Sequence, residues 1–447
     1  MSGRIGGSAV GYVARHSADG HAGALRPLGA LLRLPGIGRP VVQTAASNVA
    51  ITVASALGGI IVARSAGATV RGEYSAVTSW FGIAIMLCEL GQPVALCFYV
   101  ARDSQRAREY LGTSRAMVVA TGSVVLAAGM ALAPVLSRGH PDVTMAYRIA
   151  FGCLLIPCVS DSYTWALMAR ALQLWNQVRL TQSLVGLAAV IMLWRLRLLT
   201  LDAVLMAFAG SLLVQLGWAY WGCRRAGLVP GLFTTRLVRP LATYGVTQIA
   251  AMAPATVNAY LDQLVLSVTV PPTDLGCYSI AVSMTLLPAP LVSAIGYVLM
   301  PRLAAEDVFT AGSRQLQRKA VLLSAVLATV ILVPLALAAP WLVPLVFGAT
   351  YRAAIPLVWI LTPGGIFLSC GQVVANLLRG RRQQMAVARA EGATVIVTLA
   401  LLAALIPVLG VTGAAIASTI PYGISLALML RSLWRISKPG ETDGGTP

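Results

Sequence analysis

The sequence predicts an all-α polytopic membrane protein of about 12 transmembrane helices in two pseudo-symmetric six-helix bundles. Three observations carry that expectation. Apolar runs of roughly 20 residues, enough for a helix to cross hydrocarbon ~30 Å thick, recur along nearly all of the 447 residues. Part of the chain repeats: Arg71-Gly72-Glu73-Tyr74-Ser75 opens one apolar run, and Leu275-Gly276-Cys277-Tyr278-Ser279 opens another 204 positions later. Basic residues gather on alternate connections between the runs.

Composition excludes a string of soluble domains. Apolar residues make up 57% and charged residues 11%, and mean hydropathy is +0.79, so polar surface is too scarce to cover water-facing globules. A net charge of +18 would suggest nucleic acid in a soluble protein, but here its placement follows topology, and no nucleic-acid partner is expected. Seven cysteines form no CxxC or metal-like cluster. His16, His21 and His140 all lie outside the apolar runs, which argues against a histidine metal site or proton relay within the membrane. No metal or cofactor is expected; a coupling ion, H+ or Na+, stays open.

The spans are placed at about 43–65, 74–101, 115–137, 146–169, 178–197, 201–222, 240–269, 275–300, 318–338, 352–378, 386–408 and 412–434. The chain then divides into a basic extension at 1–42, a first bundle at 43–222, a linker at 223–239, a second bundle at 240–434 and a disordered tail at 435–447. With both termini in the cytoplasm, 26 of the 33 basic residues fall inside, as the positive-inside rule requires. The cell membrane is the expected location, with bilayer lipids as neighbours. No extramembrane segment is long enough to fold as a catalytic domain, so no enzyme activity is expected.

Several spans are interrupted. Gly91-Gln92-Pro93 breaks the second and Pro288-Ala289-Pro290 the eighth; Pro157 lies in the fourth and Pro363 in the tenth, 206 positions apart. Proline removes a helical hydrogen bond, and lipid tolerates the freed carbonyl only where protein or a wet cavity satisfies it. Pro93, Pro157, Pro288, Pro290 and Pro363 are therefore the hinge candidates. Paired breaks in a duplicated membrane protein are a transporter feature, and equal orientation of the halves implies an axis along the membrane normal.

Three acids lie within spans: Glu89, Asp161 and Asp262. Charge there normally faces protein or a water-filled cavity. In span seven, Tyr244, Gln248, Ala251, Ala255, Asn258 and Asp262 follow at steps of three or four and share one face. Span one carries a weaker counterpart in Asn48, Thr52, Ser55 and Gly59. Such faces line a cavity or hydrogen-bond between helices. The cavity candidates are Asn48, Glu89, Asp161, Tyr244, Gln248, Asn258 and Asp262.

Further stretches carry a family likeness: Tyr260-Leu261-Asp262-Gln263-Leu264-Val265-Leu266, Leu275 to Ala281, Met300-Pro301-Arg302-Leu303, Val346-Phe347-Gly348 with Tyr351-Arg352-Ala353-Ala354, and Gly410 to Ala417. In their order and spacing, over roughly 43–434, the chain resembles the Wzx-type polysaccharide flippases of the multidrug/oligosaccharidyl-lipid/polysaccharide exporter superfamily. The resemblance implies two bundles forming a V around a cavity that opens alternately to each side. It implies as cargo an undecaprenyl-pyrophosphate-linked glycan moved from the inner to the outer leaflet, with a polysaccharide polymerase and glycosyltransferases as partners. It also implies cavity arginines for the pyrophosphate. No arginine is seen deep in a span, so Arg64, Arg102 and Arg302 near span ends are the headgroup candidates. A cation-coupled small-molecule exporter or a peptidoglycan-precursor flippase of the same superfamily stays open, as does a membrane-embedded polymerase or glycosyltransferase.

Overall fold

A computed structural model of the chain describes residues 38–289, 291–292, 311–381 and 383–436. Residues 1–37 of the expected extension, 437–447 of the expected tail, Pro290 and Arg302 lie outside the described residues, while 38–42 and 435–436 are helical. Among those described, every element is helical and none is a strand. In chain order they are α1 (Gly38–Glu89), α2 (Gln92–Arg102), α3 (Ala107–Leu136), α4 (Pro141–Gly152), α5 (Leu155–Arg170) and α6 (Leu172–Arg195). Then come α7 (Leu201–Arg225), α8 (Thr235–Thr269), α9 (Pro272–Thr285), α10 (Ala311–Val346), a 3-10 turn (Ala349–Tyr351), α11 (Ala354–Gly380) and α12 (Gln384–Ile436).

These helices realise the 12 spans as far as the described residues go, the eighth being described only to Val292. At 52 and 53 residues, α1 and α12 would each run nearly 80 Å if straight, far beyond a bilayer. Each instead folds back at one glycine, Gly67 (φ 84°, ψ 176°) and Gly410 (φ 57°, ψ −132°). Both conformations suit a residue without Cβ. A loop was expected around 66–73; the helix resumes directly after Gly67. Spans two and four are each two helices in tandem, α1 into α2 and α4 into α5. Large apolar side chains such as Val124, Trp341, Leu345 and Val408 stay exposed on the outside, as a lipid-facing surface requires.

In spans two and four the breaks fall where the sequence places them, just ahead of Pro93 and Pro157. In span two the irregular residues are Leu90 (φ 43°) and Gly91 (φ 73°); Pro93 stands in the first turn of α2, where its missing N–H leaves no bond unmade. Thr121 Oγ1 donates to the Cys88 carbonyl at 2.5 Å beside this break. Span four breaks at Cys153-Leu154, and Pro157 again sits in the first turn of the resumed helix. The turn at Leu286-Leu287-Pro288 ends α9. Pro363 lies within the unbroken α11.

Burial shows how the bundles meet. The end where Gly67, Gly410 and the 196–200 connection lie is called distal, and the opposite end proximal. Distally one core runs through both bundles, joining Val77, Phe81, Tyr147 and Phe151 to Leu261, Tyr278, Tyr351 and Leu357. Proximally there are two cores. One holds Leu96, Leu111, Leu167 and Cys223 with Leu237 and Leu241 at the start of α8. The other holds Ala320, Val374, Leu378 and Met429. Among the described residues the bundles thus share a core distally, while proximally only α8 of the second bundle packs into the first bundle's core. The connection 226–234 is tied to the first bundle: Gly231 N donates to the Arg108 carbonyl (2.7 Å), and Thr234 N to Thr113 Oγ1 (3.1 Å).

Candidate functional site

The distal seam uses the repeated motif itself. Gly72 of α1 and Gly276 of α9 cross backbone to backbone. A Cβ on Gly72 would sit 1.8 Å from the Pro272 carbonyl oxygen, and one on Gly276 would sit 2.1 Å from that of Ala68. Around this crossing, Ser75 and Ser79 both donate to Gln263 Oε1 (2.7 and 3.1 Å), and Trp80 Nε1 donates to Ser267 Oγ (3.0 Å). Arg64 donates to the Leu345 carbonyl at 2.6 Å and Tyr351 Oη to that of Ala63 at 3.0 Å.

Proximal to this seam lies a cavity of about 460 Å³, bounded by both halves of the repeat and by α6 and α7. Its wall is mainly apolar, with polar groups from Ser55, Tyr74, Gln182, Ser183 and Ser283. Arg71 is its one charged lining residue. The Arg71 guanidinium lies 5.9 Å from the Tyr74 ring centroid and reaches toward span one at Gly59. Its Nε is buried without a hydrogen-bond partner. A cation so placed, with no acid in the wall, is left to be neutralised by an anion that enters.

Arg71 was not among the candidates. It precedes the apolar run and reads as a connection, whereas the single-residue turn at Gly67 already places it in the helix. Helical side chains tilt toward the N-terminus and long ones extend back along the preceding turn. The glycines and serine of span one provide the facing surface.

None of the seven cavity candidates lines this cavity; Ser55 and Gly59 of the weaker stripe do. The span-seven face divides along its length. Tyr244 stacks on Phe98 with centroids 4.6 Å apart, and with Gln248 it borders a separate proximal recess beside Tyr99 and Arg239. Asn258 and Asp262 are buried within the second bundle. Thr398 Oγ1 donates to Asn258 Oδ1 at 3.2 Å. Asp262 accepts from the Tyr278 hydroxyl, from Gln263 N at 2.7 Å and from Ser418 Oγ at 3.3 Å. The Asp262 carboxylate therefore ties spans seven, eight and twelve together; it is not near solvent.

Glu89, beside the span-two break, and Asp161, two turns into α5, face one another inside the first bundle, with Arg179 near Asp161. Glu89 Oε1 and the Ser160 hydroxyl are buried without hydrogen-bond partners. Asn48 Oδ1 is likewise unpartnered, toward the proximal end of span one. Gly91, between Glu89 and Pro93, is where α8 packs: a Cβ there would lie 2.1 Å from the Gly245 carbonyl oxygen. Arg102 is exposed at the end of α2, and Arg64 is engaged at the distal seam; neither reaches the cavity.

Among solved structures, the chain is similar to an inward-facing multidrug resistance MATE family transporter of the MOP superfamily. Identity is 13%, with 94% of this chain and 99% of that one covered and a TM-score of 0.73. It is similar to the lipid II flippase MurJ in an inward closed conformation, at 10% identity, 89% and 90% coverage and a TM-score of 0.71. A MOP superfamily transporter from Pyrococcus furiosus is similar at 12% identity, 92% and 96% coverage and a TM-score of 0.63. The chain shares the fold of these proteins and is a multi-pass membrane protein. No curated protein matches it by sequence. The family model described as polysaccharide biosynthesis protein matches residues 37–305, more than half of the sequence, and the chain belongs to that family.

Proposed function

We propose that the protein is a flippase for a lipid-linked oligosaccharide. It moves an undecaprenyl-pyrophosphate-linked glycan from the inner to the outer leaflet of the cell membrane by alternating access, supplying cell-surface polysaccharide biosynthesis. In this reading the distal end faces outward and both termini are cytoplasmic. The bundles, 43–222 and 240–434, rock about the linker at 223–239. A polymerase and glycosyltransferases act on either side of the transport step, and the chain itself catalyses no reaction.

The observation that carries the reading is Arg71, whose buried Nε has no hydrogen-bond partner, in a largely apolar cavity. A sugar pyrophosphate cannot cross hydrocarbon unaided, because its charge and hydrogen bonds would go unmet. Arg71 offers the planar donor geometry suited to phosphoryl oxygens, and the serine and amide groups of spans one, five and eight offer partners to hydroxyls. The apolar wall accommodates the first units of the lipid tail. The family and the fold agree with this reading.

Proteoliposomes carrying a fluorescent polyprenyl-pyrophosphoryl oligosaccharide provide the test. Arg71→Gln is expected to slow its appearance in the opposite leaflet by about 10-fold or more, the size of one lost charge-assisted hydrogen bond. Wild-type transport by this variant would remove the assignment. The facing carboxyls of Glu89 and Asp161 are the position we assign to a coupling ion, H+ or Na+. Collapse of one of the two gradients, that of the coupling ion, should then slow the wild type and leave a Glu89→Gln variant unaffected.

A further inference from the structure

A second recess lies distally, beyond the cavity along the same pair of helices. It has a volume of about 480 Å³ and is lined by Ser65, Trp194, Arg195, Arg197 and Leu199. Span one and α6 flank both spaces. The cavity ends at Val62 and Val190 on these helices, and the recess begins at Ser65 and Trp194. That is one helical turn farther, or ~5 Å along the axis.

Its charge is unusual for its place. The distal end holds few of the basic residues, yet two arginines converge here. Arg195 lies over the Trp194 ring, 5.2 Å from its centroid. Arg197 closes the end of α6 at φ 58°, a left-handed position that favours glycine. Arg197 N bonds to the Trp194 carbonyl (3.1 Å), and Leu198 N to that of Leu193 (2.9 Å), so the backbone presenting both guanidiniums is fixed. Asp202, the nearest acid in sequence, makes no ion pair with either. Exposed Leu196 and Leu198 keep this edge in contact with lipid.

We propose that this recess is a binding station for the phosphoryl group of a lipid at the distal surface. Trp194 sets the interfacial depth, and Arg195 and Arg197 receive the phosphate oxygens. Resting on the flippase reading, it is the next anion site a headgroup meets after leaving Arg71. The same chemistry would hold an anionic phospholipid of the outer leaflet.

The test labels Ser65→Cys with an environment-sensitive fluorophore in the full-length protein, held in phosphatidylcholine nanodiscs. Labelled protein with Ser65 intact supplies the background from the native cysteines. An undecaprenyl pyrophosphate titration should give a saturable signal whose apparent affinity falls at least 10-fold in Arg195→Gln/Arg197→Gln. The same signal should persist in Arg71→Gln. A parallel titration with phosphatidylglycerol identifies the source: saturation by that lipid alone supports a station for bilayer phospholipid, and by the pyrophosphate alone a station for cargo. No saturable signal from either lipid, a signal indifferent to both arginines, or one produced equally by inorganic pyrophosphate would overturn the proposal. The two arginines are exposed, so their replacement leaves folding intact. Persistence of the signal without Arg71 separates failure here from failure of the flippase reading.

Discussion

Arg71 and Asp262 show how differently two charges can be used a short distance apart. Arg71 has an unpartnered Nε in a cavity, and nothing in the wall neutralises it. Replacing such a cation by an apolar residue of similar length is often neutral or stabilising. Arg71→Met is therefore expected to raise or preserve the unfolding temperature in detergent while transport falls. Asp262 behaves oppositely, being surrounded by the Tyr278 and Ser418 hydroxyls and the Gln263 amide. Asp262→Ala strands those donors inside the second bundle, at a cost of about 2–3 kcal/mol. Denaturant unfolding should show that loss, with Tyr278→Phe showing a smaller one. An Asp262→Ala variant of wild-type stability but abolished transport would mean that the carboxylate acts on cargo after all. Both acids and arginines were visible in the sequence; their partners were not, because burial in a bundle and exposure to a cavity place the same residue types at the same helical spacing.

At the scale of elements, glycines set where helices turn and where they touch. Gly67 and Gly410 have no neighbour within 4 Å of an added Cβ, so substitution there tests backbone strain alone. Gly410→Ala, at φ 57° and ψ −132°, should destabilise the protein by about 1–3 kcal/mol, read from its thermal unfolding. Gly72 and Gly276 have the reverse problem, with carbonyl oxygens about 2 Å from where Cβ would be. Gly276→Ala forces the two backbones apart by more than an ångström and should open the distal seam. A thiol at Ser55→Cys, in the cavity wall, should then react with a membrane-impermeant reagent from the distal side; equal protection in the parent and the glycine variant would contradict this role. The motif match 204 positions apart was readable as a repeat. That its two glycines pack on each other is a property of the crossing, which a one-dimensional pattern does not contain. The breaks were readable too, while the structure adds that Pro93 and Pro157 stand in the first turn of the helix that resumes after each one.

Across the whole molecule, the described residues share one core distally and are joined proximally only through α8; the side of the membrane on which the proximal end lies is testable. The 226–234 connection, flanked by Arg224, Arg225, Arg236 and Arg239, lies at the proximal end and is tied to the first bundle through Arg108 and Thr113. A cysteine at Val229 should be labelled by an impermeant thiol reagent only in inside-out vesicles. Labelling in intact cells would invert the topology and, with it, the direction of transport.

The sequence by itself determined the helices, their number, their lipid-facing character and the duplication. These follow from hydrophobic length and charge placement, which act along a single chain. Tertiary structure alone decided which polar groups meet. Spans distant in sequence had to pack before Arg71 could face Gly59, or Asp262 could meet Tyr278 and Ser418. Helical periodicity gives each residue a face, whereas the neighbour on that face is chosen by how the bundles close.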